Sequence, residues 1–367
     1  MKFSQLVGAE SSWSSLRDLV TDDIMPHALL ISGPQGNNKL PAALAYAAYI
    51  MCENKQNQEA CGECRACKKT FNFIHPDVHF SFPFFGANAV ADEFIKPWRS
   101  FLGSHPYGTI SEWLNHLGAD NKQANINVKE CRSIIHKLNM QSFESDKKIL
   151  FLWLPEYLKK EGNRLLKIIE EPTDNTYFIL VTAKIDQILP TIISRCQHIK
   201  LPPLQDDEIQ EALLNKGVPS AQAQNISFIA EGNMNKALNL VSEASSALDS
   251  EVLGWLRACY GGKAIEILNW VEVYAKKSKD EQKSFLSYGL HFLREIARVG
   301  VLPDNQLRIQ EKEIETAKKI ARIINFEKIE KLSNILTDTI YYIERNANIK
   351  ILMCDTSLSF KNVLRQN

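Results

Sequence analysis

The chain has 367 residues, 45% of them hydrophobic and 23% charged, with 43 Lys and Arg set against 43 Asp and Glu. At ~100 to 200 residues per domain this predicts two or three domains with real cores, and the neutral balance excludes a basic body that coats nucleic acid by itself. The longest apolar stretches, 44–51 and 149–154, fall short of the roughly 18 residues of a membrane span, and the start MKFSQLVGAESS lacks an apolar secretion segment, so a soluble cytoplasmic protein with no membrane partner is expected.

In chain order, HALLISG (27–33) is a short apolar run ending in glycine, and KLPAALAYAAYIMCE follows with the character of a helix. This predicts strand, turn, helix. His75, Pro76 and Asp77 read as a turn; the same tripeptide marks J-domain co-chaperones, but their flanking helical hairpin is missing. Residues 80–125 mix aromatic residues with Gly and Pro and are expected to be an ordered insertion whose aromatics pack rather than stack on bases. KKILFLWL (147–154) and NTYFILVTA (175–183) are too short for helices and do not alternate, as expected of strands buried on both faces. A helix is expected between them, from about Leu158 to Ile169. Strands alternating with helices imply a parallel sheet covered on both sides. The pattern breaks at Pro202 and Pro203, which sets a boundary near 204; beyond it apolar residues recur every three or four positions, predicting helices only, divided near 245.

GPQGNNKL (33–40) stands where a phosphate-binding loop belongs. The motif G-x-x-x-x-G-K-[ST] uses glycines to turn backbone amides toward phosphates, a lysine for the terminal phosphates and a hydroxyl for Mg²⁺. Here Gly33, Gly36 and Lys39 remain, Asn38 replaces the second motif glycine, and Leu40 replaces the metal-binding hydroxyl. Asn enters positive-φ backbone more readily than most residues, whereas leucine cannot ligate a metal. Weak or absent ATP binding is expected; an ordinary strand–turn–helix connection is the alternative. A nucleoside triphosphatase also needs acidic residues at the end of a second buried strand. Here Trp153 and Leu154 stand there, with Glu156 displaced beyond Pro155.

In a reducing compartment the eight cysteines are ligands, redox groups or core fillers rather than disulfides. Cys52, Cys61, Cys64 and Cys67 follow the spacing C-x8-C-x2-C-x2-C, suited to a closed tetrahedral structural Zn²⁺ site. An iron–sulfur cluster is the rival, but the ferredoxin continuation C-x3-C-P is missing. Arg65, Lys68 and Lys69 beside the knuckle make a small basic patch, so a zinc-knuckle module for nucleic acid is a further alternative.

Together, HALLISGPQGNNK, the four-cysteine module followed by HPDV, NRLLKIIEEP (163–172) and LPTIISRCQ (189–197) resemble the AAA+ clamp-loader subunits of bacterial DNA polymerase III, the delta-prime type most closely. The resemblance covers about residues 1–245 well and the remainder loosely. It implies an α/β AAA+ parallel-sheet domain with a zinc module (1–204), a small helical lid domain (205–245) and an all-α collar bundle (246–367). It also implies that Arg195, in the Ser-Arg-Cys motif, reaches across a subunit boundary to a neighbour's ATP. Asn235 stands where ATP-hydrolysing members have a sensor arginine. Losses at Asn38, Leu40, Trp153, Leu154 and Asn235, with Arg195 kept, imply a non-hydrolysing stator in a heteropentamer with ATPase and delta-type subunits, meeting the sliding clamp and primed DNA through the complex. An active AAA+ ATPase using Glu156 is the alternative.

Overall fold

The computed structural model describes all residues except 23, 120–121, 243–247, 262, 310, 346 and 366–367. The expected division near 245 therefore lies outside the described residues. Two compact units form: residues 1–212 with 232–235, and residues 213–231 with 236–367.

The first unit is built on five parallel strands: β1 (Ala28–Ser32), β2 (Val78–Ser81), β3 (Lys148–Trp153), β4 (Thr176–Thr182) and β5 (Gln197–Lys200). Their order is β2-β3-β4-β1-β5. Its helices are α1 (Ser14–Thr21), α2 (Lys39–Met51), α3 (Arg65–Phe71), α4 (Ile95–Ser104), α5 (Ile110–His116), α6 (Val128–Asn139), α7 (Leu166–Glu170), α8 (Pro190–Ile193) and most of α9 (Asp206–Asn215). Every residue of β1 and β3 is buried. Alternate side chains feed two cores: Leu29, Ile31, Ile149, Phe151, Ile179 and Val181 join α1 and α2, whereas Leu30, Leu150, Leu152, Phe178 and Leu180 join α6, α7 and α8. That double covering is why these strands read as continuous apolar runs.

Two strands escaped the sequence reading. β2 and β5 have four residues each, and β5 is largely exposed, so neither carries an apolar signal. The helix expected over 158–169 is instead a 3-10 segment, Pro155–Leu165, interrupted at Lys159, with α-helix only from Leu166. Gly162 and Asn163 are poor helix formers. A Cβ at Gly162 would also meet Ile192 Cδ1 at 2.8 Å, so the chain passes close against the Ile192 side chain of α8.

The described residues of 80–125 are ordered, and their aromatics pack. Phe82 stacks on Trp98 with ring centroids 4.3 Å apart, Trp113 meets Phe82 edge-on at 5.3 Å, and Trp98 lies 5.0 Å from Trp153 of β3. Trp113 Nε1 donates to the Pro83 carbonyl at 2.7 Å. The expected turn is closed by the Val78 N–H donating to the His75 carbonyl at 3.1 Å, and Asp77 ties it to a distant segment by accepting from the backbone N–H groups of Phe143, Glu144 and Ser145 at 2.5, 2.8 and 2.9 Å.

The second unit carries α10 (Ser220–Ala230), most of α11 (Met234–Ser242), α12 (Leu248–Gly261), α13 (Ala264–Tyr274), α14 (Lys279–Arg298), α15 (Glu311–Ala321), α16 (Phe326–Glu344) and α17 (Ile349–Arg365), with no strand among its described residues. α14 packs on α16 and α16 on α17. Trp255, Trp270, Phe285 and Phe360 form its aromatic centre, where Trp255 Nε1 donates to Ser357 Oγ at 2.9 Å. Among the described residues no helix is long and apolar enough to cross a membrane.

Candidate functional site

Helix α2 has a candidate site at each end. At its N-terminus, the loop after β1 lies at the carboxyl ends of the strands, where open parallel sheets bind ligands. Gly36 takes φ +75, where another residue would be strained, and a Cβ there would meet Asn233 Oδ1 at 1.7 Å, so glycine is strongly favoured. The loop's polar groups are bonded to the protein itself. Lys39 is buried, and its Nζ donates to the Pro34 carbonyl at 2.7 Å and to Asn37 Oδ1 at 3.4 Å. The Lys39 backbone N–H also donates to Asn37 Oδ1, at 3.1 Å, while Asn37 Nδ2 donates to the Leu201 and Pro202 carbonyls, both at 3.1 Å. Asn38 Nδ2 donates to the Val7 carbonyl, and Tyr107 donates to Asn38 Oδ1 at 3.4 Å. Leu40 is buried in the apolar core.

At the end of β3, Trp153 and Leu154 are likewise core residues. Leu154 adopts a left-handed conformation, φ 57 and ψ 62, and the chain turns there into Pro155. Glu156 is buried and accepts from Thr182 Oγ1 at 2.9 Å. Burial lowers Lys39 to about 8 against a smaller opposing pull from Glu156, and burial raises the Glu156 carboxyl. Desolvation therefore outweighs their mutual attraction in both partners. Beside them Ser32 Oγ lies 2.6 Å from His198 Nε2, and burial lowers the His198 pKa. Asn235 Nδ2 donates to Glu112 Oε1 and Oε2 at 2.9 and 3.0 Å, tying it to α5 of the 80–125 segment.

At the other end of α2, Cys52 follows the helix directly. A tight turn through Asn57 and Gln58, both with positive φ, brings the chain back to Cys61. Gly62, at φ +84, then shapes the knuckle, and Cys64 caps α3, which carries Cys67. All four sulfurs lie within 4.8 Å of one another, with Cys61 and Cys67 at 3.9 Å. Tetrahedral zinc with Zn–S bonds of about 2.3 Å sets sulfurs ~3.8 Å apart, so the residues present fit a single metal ion. Backbone N–H groups also point at the sulfurs: Cys64 and Glu63 donate to Cys61 at 3.3 and 3.5 Å, Cys61 to Cys52 at 3.3 Å, and Cys67 to Cys64 at 3.3 Å. The Cys64 and Glu63 N–H groups hold the Cys61 thiol down at about 6, whereas burial pushes Cys52 and Cys67 up. Two of the three basic neighbours are engaged: Lys69 Nζ lies 2.6 Å from Glu144 Oε2, and Arg65 Nη2 lies 3.3 Å from Glu144 Oε1.

Arg195 lies just after α8, with about a third of its side chain exposed, and it pairs with Glu170. Sequence reasoning missed Glu170, Asn37, Thr182 and Glu112; Glu170 stands inside the NRLLKIIEEP motif, but no spacing rule links it to Arg195.

A family model described as DNA polymerase III, delta subunit matches residues 8–205, more than half of the chain. The chain belongs to this family. Among its relatives, DNA polymerase III subunit tau of Bacillus subtilis is 28% identical over 253 residues, covering 67% of this chain and 38% of that protein. Subunit delta' of the same organism is 27% identical over 225 residues, or 58% of this chain and 56% of the relative. Subunit delta' of Escherichia coli is 27% identical over 179 residues, or 48% and 43%. The chain thus spans between 38% and 56% of these relatives' own lengths.

Proposed function

We propose that this chain is a non-hydrolysing stator subunit of the DNA polymerase III sliding-clamp loader. The observation that carries this reading is the state of the phosphate-loop site. Leu40 and Trp153, where a Mg²⁺ ligand and an acid would be needed, are 3% and 2% exposed and belong to the core, while Lys39 is bonded to its own loop. Without metal and acid, the transferring phosphoryl group would lack its main electrostatic stabilisation. ATP binding is then weak or absent, and the chain contributes by completing a neighbour's site with Arg195 and holding the ring together. On this reading residues 1–204 form the AAA+ domain, 205–245 a lid and 246–367 a collar. Its partners are the ATPase and delta-type subunits of a heteropentamer in the cytoplasm, with the clamp and primed DNA met through the complex. Cys52, Cys61, Cys64 and Cys67 hold a structural Zn²⁺, whose chemistry there is that of a closed crosslink between α2 and α3.

One observation favours a second reading, an active ATPase: Glu156 is a buried carboxylate beside Lys39 at the carboxyl end of the sheet. ATP turnover of the purified chain, with and without primed DNA, separates the two. The stator reading expects background turnover, unchanged by Lys39→Ala and not rescued by Leu40→Thr. Robust hydrolysis that disappears in Lys39→Ala would establish the enzyme instead.

A further inference from the structure

Arg195 is held on two sides. Its Nε and Nη2 both donate to Glu170 Oε2, at 3.1 and 3.0 Å, and Nη1 donates to the Thr191 carbonyl at 3.0 Å. Glu170 is the last residue of α7, and Arg195 follows the end of α8 by two positions. The two short helices are fixed by one buried cluster containing Leu165, Ile168, Ile169 and Ile192. Gly162 adds to this, since its backbone passes where a Cβ would strike Ile192 Cδ1 at 2.8 Å and Leu189 Cδ1 at 3.2 Å. The backbone frames of both charged residues are therefore set before their side chains meet.

An arginine carries five N–H donors in a planar fork. The three bonds engage Nε, one proton of Nη2 and one of Nη1, which leaves one N–H on each terminal nitrogen. We infer that Glu170 is a positioning residue: it grips Arg195 by the Nε–Nη2 edge and presents the two remaining donors as a fork to an anionic oxygen outside the chain. This inference rests on the role proposed above for Arg195, and the oxygen is then one of the terminal phosphate oxygens of ATP on the neighbouring subunit. The opposite role, a latch that withholds Arg195, differs in sign: it would make turnover faster when Glu170 is removed. Glu170 is more than half exposed, and an exposed pair is worth about 0 to 1 kcal/mol, so the effect in either direction is at most about fivefold.

The experiment uses the reconstituted loader with its sibling subunits, and reads kcat and KM for ATP on primed DNA with Glu170→Ala, Glu170→Gln, Arg195→Ala and the double alanine variant. Glu170→Ala is expected to lower kcat at the affected site by about two- to fivefold with little change in KM, less in the summed turnover of several sites. Glu170→Gln, which keeps an acceptor, should recover part of the loss, and the double variant should be no slower than Arg195→Ala. Parental or faster turnover in Glu170→Ala, while Arg195→Ala is slow, overturns the positioning role and leaves the stator reading standing. Parental turnover in Arg195→Ala overturns the role of Arg195 itself. Each complex is checked for assembly and melting temperature, which a positioning effect leaves unchanged.

Discussion

The two ends of α2, only 13 residues apart along the helix, show opposite solutions to the same problem of placing polar groups together. At the N-terminal end, the Lys39 ammonium and the Asn37 and Asn38 amides find carbonyls and amides of the protein itself. At the C-terminal end, four cysteine sulfurs converge to within 4.8 Å, and their protein partners are backbone N–H groups that favour the thiolate. On the proposed reading, a site built for a ligand aims its donors at a common point and leaves them chemically competent, while a site that has lost its ligand turns the same kind of groups inward. Buried polar groups must be paired either way, so the choice of partner distinguishes the two ends.

The largest effect expected from that contrast is at the cysteine end. If the cluster holds zinc as proposed, Cys64→Ser should abolish that binding and lower stability by at least about 3 kcal/mol, or roughly 6 to 12 °C in melting temperature. Metal analysis giving one zinc per parental chain and none in the variant checks it; iron in the parent, or an equally stable variant, would break the contrast.

A smaller effect is expected at the loop. Lys39 loses its proton near 8 in the folded chain and at its ordinary 10.5 when unfolded, so between these values the unfolded state binds more protons and stability rises with pH. The raised carboxyl of Glu156 acts oppositely, removing stability as pH climbs from its ordinary 4.5 toward its folded value. Both shifts thus leave the pair unfavourable at neutral pH. The double substitution Lys39→Met with Glu156→Gln should match or exceed the parent at pH 7 by up to about 4 kcal/mol, with a gap that narrows from pH 8 to 10. Denaturant melts across that range measure it, and a double variant less stable than the parent would mean that the pair still has a structural task.

The smallest effect concerns the basic side chains of the knuckle. Glu144→Gln releases Arg65 and Lys69 from their shared carboxylate. Binding to single- or double-stranded DNA should then rise only slightly, its slope against log salt steepening by no more than about 2. Tight binding by the unmodified chain would instead revive the nucleic-acid reading of the knuckle.

Much of this architecture was legible. β1, β3 and β4 announced themselves because burial on both faces demands uninterrupted apolar residues, and the cysteine spacing foretold the four-sulfur cluster because a tight knuckle needs two-residue gaps. β2 and β5 did not, since four residues are too few to carry a strand pattern, and β5 is also largely exposed. The segment 155–165 misled because 3-10 and α-helices place apolar residues at similar short intervals, and nothing local marks the break at Lys159.

Local sequence by itself determined that Leu40 offers no hydroxyl at the start of α2, that β3 ends in apolar residues and which sulfurs the knuckle carries, because each depends on residue type and short spacing. Only the tertiary structure decided that Lys39 folds onto Pro34, that Asn235 meets Glu112 and that Arg195 is clasped by Glu170. Those contacts depend on where side chains from separate elements arrive. For Arg195 and Glu170 that is set by the packing of two short helices whose shared core, around Ile169 and Ile192, is assembled from residues distant in sequence.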